Sequence, residues 1–406
     1  MAGDKEKLDI TTQLVHAGER SEPPHGQPTS TPIYASSTFT YESMEEIDQV
    51  FGGDKPGYIY TRYGNPTVTL LADSIRTIEG GATACAYASG MAALHAALFA
   101  CELTPGATVL ASQDLYGATT NLLQNVFGSF GIKTITADFS NLDGLGAKAN
   151  EVKPRVLVAE TISNPLLKVC DIDACAKIAH AVGARLIVDN TFASPYLCQP
   201  LRHGADMVVH SATKFLGGHA DAMGGIAISG DETDSMALIG VMKLVGGVLS
   251  PWEAHEILRG LKTLAVRMDR HCENAALLAE HLRSHLRIGR VYFPGFANTK
   301  DKDLAHQGVA GRILREAHLG ALVSIELKDN SREAAFRFMD ALKLCVRSTS
   351  LGDVFTSVLH PATASHRDLS PAQRLRWGIT DGLIRISVGI ESINDIRADI
   401  EQAFEA

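Results

Sequence analysis

The chain has 406 residues, 45% of them hydrophobic and 20% charged, with a formal net charge of -9 at pH 7. That length exceeds what one core usually supports and the composition is that of a folded chain, so a large domain with a smaller one is expected and disorder is not. The acidic balance speaks against nucleic acid or an anionic membrane as partner, because both are bound through excess Lys and Arg, and leaves a small molecule as the expected ligand.

Residues 1–63 are rich in Pro, Ser, Thr and Gly, as in "SEPPHGQPTSTPIYASSTFTY", and show little periodicity, which predicts an extended N-terminal arm. The start carries no apolar core of signal-peptide length, and no stretch approaches the roughly 18 apolar residues of a membrane span. The seven cysteines are scattered through apolar segments, which suits reduced thiols. A soluble, cytoplasmic chain is expected.

From "NPTVTLLADSIRTIEG" onward, helical patterns alternate with the apolar runs "ACAYAS", "ATVLAS", "KTITAD", "RVLVAE", "RLIVDN", "DMVVHS" and "AMGGIAIS". That order predicts an α/β domain over 64–257, built on a mostly parallel seven-stranded sheet with helices on both faces. One such helix is "DIDACAKIAHAVG", with Ile172, Cys175, Ala176 and Ala179 at helical spacing and Gly183 as its stop. A long helical region follows from "SPWEAHEILRGLKTL", and then "HLGALVSIEL", "REAAFRFMDALKL", "GLIRISVG" and "SINDIRADIEQAF", which predict a smaller α+β domain over 258–406.

In such sheets ligands sit outside the carboxyl ends of the strands, so the residues closing each apolar run matter most. "DMVVHSATK" ends in Ser211, Thr213 and Lys214. Lys214 is either a surface lysine at a strand end or a desolvated amine that forms a Schiff base with an electron-sink cofactor. The two hydroxyls suit a phosphate, and Gly217 and Gly218 leave room for a flat ring. Asp189 caps the next turn or pairs with a cation such as a protonated pyridine nitrogen, since a lone charge closing an apolar strand is costly. Glu160 closes "RVLVAE" on the same rim.

Ser89, Gly90 and Met91 fall at a strand-to-helix junction whose free N–H groups attract an anion, although ordinary helix starts look the same. Tyr116 of "DLYGATT" is either a core tyrosine or a ring that stacks on a planar cofactor. Arg385 of "GLIRISVG" is either an edge-strand charge or an inward fork for an α-carboxylate. Cys170, Cys175 and His180 do not have zinc-site spacing, and neither GxSxG nor a phosphate-binding loop occurs, so no metal, acyl transfer or phosphoryl transfer is expected.

Together, "SATKFLGGHADAMGG", "VAETISNPLL", "LIVDNTFASP", "ASGMAA", "YTRYGNPT", "LSPWEAHEILRGLKTL" and "GITDGLIRISVGIE" resemble the pyridoxal-phosphate enzymes of cysteine and methionine metabolism. The resemblance runs from the arm to the last helix and implies the fold type I transferase architecture. It implies that Lys214 carries pyridoxal 5′-phosphate and shuttles protons, with Tyr116 stacking and assisting. Asp189 then meets the pyridine nitrogen, Asn164 approaches the ring hydroxyl, and Gly90, Met91, Ser211 and Thr213 hold the phosphate. Tyr60 and Arg62 reach that phosphate from the neighbouring subunit, and Arg385, with Ser350 nearby, takes the carboxylate of an amino-acid substrate. The family's usual assembly, a homotetramer of two active dimers, is implied as well.

Within the family, elimination and replacement share one chemistry until the γ-substituent has left. Thr349 stands where cystathionine γ-lyases tend to have glutamate, while "WGITDGLIRISVG" and Asp353 resemble methionine γ-lyases. Ala118 stands where those usually carry cysteine, and Met242 and Lys243 replace their Lys-Asp pair. "VLHPATASHRDLSP" resembles the O-acylhomoserine sulfhydrylases. The expectation is a γ-elimination lyase acting on a methionine-like amino acid, canavanine-type oxyguanidines included. The alternative is a γ-replacement transferase such as a cystathionine γ-synthase or sulfhydrylase. A cofactor-binding protein without turnover is a third reading, opposed by the joint presence of Lys214, Tyr116, Asp189 and Arg385.

Overall fold

The structure, a computed structural model, describes residues 26–296 and 308–406. The chain divides into two compact units at Pro32. Residues 26–32 form no regular element, and everything below concerns Ile33–Ala406. The first part of the expected arm, 1–25, lies outside the described residues.

Seven strands form one sheet: β1 (Thr83–Tyr87), β2 (Thr108–Ser112), β3 (Lys133–Ala137), β4 (Val156–Glu160), β5 (Arg185–Asp189), β6 (Met207–Ser211) and β7 (Gly225–Ser229). Their order is β1-β7-β6-β5-β4-β2-β3. Only β7 runs against its neighbours, pairing antiparallel with β1 and β6; the other pairs are parallel. The segment between β6 and β7 forms turns and no crossover helix, so the chain comes straight back along the sheet.

The apolar runs are continuous because both sheet faces are covered. Successive side chains point to opposite faces: Leu157, Leu186, Val188 and Val208 join one core cluster, whereas Val156, Val158, Ile187, Met207 and Val209 join another. The expected helix forms as Ile172–Ala181, with Ile172, Cys175, Ala176 and Ala179 all buried and Gly183 at φ +73° just beyond it.

Two expectations needed correction. The stretch before Tyr63 is not extended throughout: Met44–Gly52 is a helix whose cap, Ser43, accepts from the Glu46 N–H, an N-terminal signature carried by "SMEE". The long helical region is broken into Pro251–Leu261 and Leu264–Arg283. The Gly260 carbonyl is drawn out of the ladder, accepting from the Thr263 N–H, the Thr263 hydroxyl and Arg267 Nη2.

Five further strands, β8 (Ile288–Tyr292), β9 (Leu322–Leu327), β10 (Val346–Arg347), β11 (Ser357–Leu359) and β12 (Leu383–Ser387), form a second sheet in the order β10-β11-β12-β9-β8. Leu278 and Leu282 of Leu264–Arg283, Phe338 of Arg332–Ala341, and Ile396 and Ile400 of Ile393–Phe404 pack on Ile325, Ile384 and Ile386 of this sheet. β12 is interior, between β11 and β9. The edge-strand reading of Arg385 is thereby excluded.

Candidate active site

The segments leaving β1, β2, β4, β5 and β6 at their carboxyl ends, joined by residues around β12, line a cavity of about 460 Å³. It brings together Gly90, Met91, Tyr116, Asn164, Asp189, Ser211, Thr213, Lys214 and Arg385, and with them Glu160, Thr191, Phe192, Thr349 and Ser365. Tyr60 and Arg62 are not among its lining residues. Arg62 instead donates to the Lys243 carbonyl and lies over the Tyr60 and Tyr63 rings, 5.4 Å and 4.8 Å from their centroids. Of the positions that bear on substrate choice, Thr349 lines the cavity, whereas Ala118 and Met242 do not.

The end of the cavity lined by Gly90, Met91, Ser211 and Thr213 is built by close approach. Ser89 caps the helix Gly90–Ala100 by accepting from the Ala92 N–H at 3.1 Å. The N–H groups of the first turn, Gly90 and Met91 included, have no partner inside the helix and form the positive end of its dipole. A Cβ on Gly90 would lie 2.7 Å from Ser211 Cβ and 2.9 Å from its Cα, so glycine is what lets this helix start meet the end of β6. There the Ser211 N–H donates to Thr191 Oγ1 at 2.8 Å, and Thr213 Oγ1 accepts from the Gly224 N–H at 3.1 Å.

Lys214 Nζ donates to Ser350 Oγ at 3.1 Å. Burial, and then the neighbouring Arg385 charge, lower the amine from its ordinary range against the opposing pull of Asp353. Asp353 is itself buried, and neither of its carboxylate oxygens has a hydrogen-bond partner. Arg385 is 3% exposed. Its Nη1 donates to Asn164 Oδ1 at 2.9 Å and its Nη2 to the Ser350 carbonyl at 3.2 Å. Its Nε is buried without a partner, and burial pulls the guanidinium down to about 10. Arg385 nevertheless lines the cavity, and its planar fork suits a carboxylate.

Asp189 and Glu160 sit opposite each other on β5 and β4. Burial raises the Asp189 carboxyl, opposed by its bonds to Thr191, whose N–H donates to Oδ1 at 2.9 Å. Burial, and then the Asp189 charge, push Glu160 well above the usual carboxylate range. Among the described residues neither has an ion-pair partner in the salt bridges formed. The cations lining the cavity are Lys214 and Arg385.

An amine held toward neutrality is a nucleophile for a carbonyl. An anionic group would find the free N–H groups of Gly90 and Met91, and a protonated ring nitrogen would relieve the unpaired Asp189 carboxylate. Pyridoxal 5′-phosphate carries an aldehyde, a phosphate and a basic ring nitrogen, and the residues present fit all three. The fold and site define the class of fold type I enzymes that depend on it.

The family of Cys/Met metabolism PLP-dependent enzymes matches residues 11–405. The L-methionine γ-lyase of Fusobacterium nucleatum subsp. polymorphum is 40% identical over 404 residues, covering 99% of each chain. The O-succinylhomoserine sulfhydrylase of Pseudomonas aeruginosa is 39% identical over 407 residues, covering 99% of this chain and 97% of its own. A crystal structure of cystathionine γ-synthase from Xanthomonas oryzae pv. oryzae superposes with a TM-score of 0.85 at 36% identity, over 93% of this chain and 92% of that one. The chain belongs to the Cys/Met metabolism PLP-dependent enzymes, and its cofactor is pyridoxal 5′-phosphate. Among the described residues no helix is long and apolar enough to cross a membrane.

The sequence places Glu160 on the rim, at the end of "RVLVAE", and offers no role for it. It does not single out Phe192, whose ring centroid lies 5.8 Å from the Arg385 guanidinium, although "LIVDNTF" puts it three residues after Asp189. Nor does it single out the Ala364–Ser365 loop, which has no periodic pattern to reveal it. A Cβ on Gly117 would lie 2.2 Å from the Ser365 carbonyl oxygen, so this loop presses directly on the residue after Tyr116.

Proposed function

We propose that the chain is a γ-elimination lyase acting on a γ-substituted homoserine-type amino acid, methionine-like or carrying an oxygen-linked group such as the oxyguanidine of canavanine. The observation that carries this is the Arg385 fork, held by Asn164 and the Ser350 carbonyl, in one cavity with the desolvated Lys214 amine. Arg385 takes the substrate α-carboxylate. Asn164 and the Ser350 carbonyl hold the fork while it does so. When bound, the cofactor supplies the sink for electrons left at Cα after deprotonation.

Lys214 Nζ takes the Cα proton and returns it to another substrate carbon, a role that needs an amine able to lose and regain a proton near neutral pH. Ser350 steadies that amine. Tyr116, on the cavity lining, would stack on the cofactor ring and move a proton at the departing substituent. Once that substituent has left, water adds at Cα and supplies the keto oxygen of the 2-oxo acid, while the nitrogen leaves as ammonia. Met223, Thr349, Leu351, Ala364 and Ser365 add no charge to the lining, which suits a neutral γ-substituent. The 40% identity to an L-methionine γ-lyase supports the same reading.

Replacement by a thiol is the second reading, favoured by the 39% identity to an O-succinylhomoserine sulfhydrylase. Methionine, canavanine, cystathionine and O-acylhomoserines, each offered with and without sulfide or cysteine, separate the two. The lyase releases 2-oxo acid and ammonia from methionine or canavanine with no thiol present. Turnover that requires the thiol would overturn it.

The assembly proposed is a homotetramer of active dimers, each chain made of an arm (1–63), a cofactor domain (64–257) and a C-terminal domain (258–406). Tyr60 and Arg62 would serve the neighbouring chain. In support, the phosphate end of the cavity has only neutral donors of its own besides Lys214. A cytoplasmic location goes with the free cysteines.

A further inference from the structure

We propose that Glu160 is a positioning residue of this site: its two carboxylate oxygens fix the main chains at Tyr116 and Asn164, and through Asn164 they set the Arg385 fork. Oε1 accepts from the Tyr116 N–H at 2.6 Å and Oε2 from the Asn164 N–H at 3.2 Å. Glu160 is 8% exposed and closes β4, so its own position is set by the sheet. Tyr116 precedes the short helix Gly117–Asn121 and makes no side-chain cap bond to it. Its main chain is therefore gripped from two sides, by Glu160 at its N–H and by the Ser365 carbonyl over Gly117.

The same carboxylate starts a line of contacts that crosses the cavity. Asn164 Oδ1 accepts from Arg385 Nη1 at 2.9 Å, Arg385 Nη2 donates to the Ser350 carbonyl at 3.2 Å, and Ser350 Oγ accepts from Lys214 Nζ at 3.1 Å. One residue thereby indexes the ring-stacking tyrosine, the carboxylate fork and the amine to the same strand end. A buried carboxyl is expensive unless bonded, and the two main-chain N–H groups oppose the burial that pushes this one up. A glutamine of equal volume could accept at one position only and would turn its NH₂ toward the other N–H donor.

This inference rests on the roles proposed above for Tyr116 and Arg385. The test is Glu160→Gln in the holoenzyme, read by the visible-region circular dichroism of the bound cofactor before any substrate is added, by kcat and KM, and by Tm. Misplacing two groups by a fraction of an ångström to an ångström predicts a fall in kcat/KM of about 100-fold. The loss should divide between a raised KM from Arg385 and a lowered kcat from Tyr116, with an altered dichroic band in a folded, loaded protein. A native band with native kcat and KM overturns the proposal, whatever the Tm. Should the glutamine variant not fold, Glu160→Asp keeps the carboxyl group but falls one methylene short of both donors, and the same readings decide. The dichroic band is recorded without substrate, so a native enzyme that shows it but makes no 2-oxo acid refutes the lyase reading and leaves this one standing on its own result.

Discussion

Lys214→Ala is expected to reduce turnover by about 10⁴-fold or more, the upper end of what one positioned acid–base group contributes. It should also remove the yellow colour of the purified protein. Both losses follow from one atom. Nζ is the amine that holds the cofactor and the base that moves the substrate proton, and its burial beside Arg385 keeps it available for either task. The fold should not suffer: Lys214 makes one side-chain hydrogen bond, to Ser350, and its removal takes a partly desolvated cation out of the cavity. A circular dichroism melt separates this outcome from unfolding. A yellow, active Lys214→Ala variant would remove the basis of the site assignment.

Arg385→Leu is expected to lower kcat/KM by about 30- to several-thousand-fold, the effect of deleting one partner of a buried charge pair worth 2–5 kcal/mol. Most of the change should fall in KM, since the carboxylate is held alike in ground and transition states. Tm without substrate should stay level or rise. Burial already draws the guanidinium down to about 10 and leaves its Nε unpaired, so leucine relieves a desolvated charge at the expense of the bonds to Asn164 and Ser350. Substrates whose carboxylate is an amide should show little difference between wild type and variant. Equal kcat/KM for the carboxylate substrate in both proteins would show that Arg385 is not its anchor.

The strands were readable because each is buried on both faces and so appears as an unbroken apolar run. For the same reason the rim could be found: Asp189, Glu160 and Ser211 are where those runs stop. Reading direction was harder. β7 looks like the parallel strands before it, and only the lack of a helix between Ser211 and Gly225 reverses it. Arg385 stayed ambiguous because an arginine in an apolar strand reads alike at an edge and in the interior. β12 is resolved only by its neighbours β11 and β9.

Contacts across long sequence distances were invisible. Nothing in "LYG" announces that the Tyr116 N–H meets Glu160, and nothing in "TASH" announces that Ser365 presses on Gly117. The helix break at Lys262 has a local trace in Gly260 and Thr263, both weak helix formers, but the contacts that hold it, Arg267 reaching the Gly260 and Phe215 carbonyls, are tertiary. The resemblance to a known family supplied roles for Tyr60 and Arg62 that one chain's geometry does not, since both stand outside its own cavity.

Borohydride reduction of the yellow holoenzyme, followed by proteolysis and peptide mass mapping, tests the central claim most directly, because it fixes the cofactor to the amine that carried it. The account predicts a phosphopyridoxyl mass on the peptide containing Lys214 and on no other. A label on a different lysine, or a reduced protein that carries none, would contradict it.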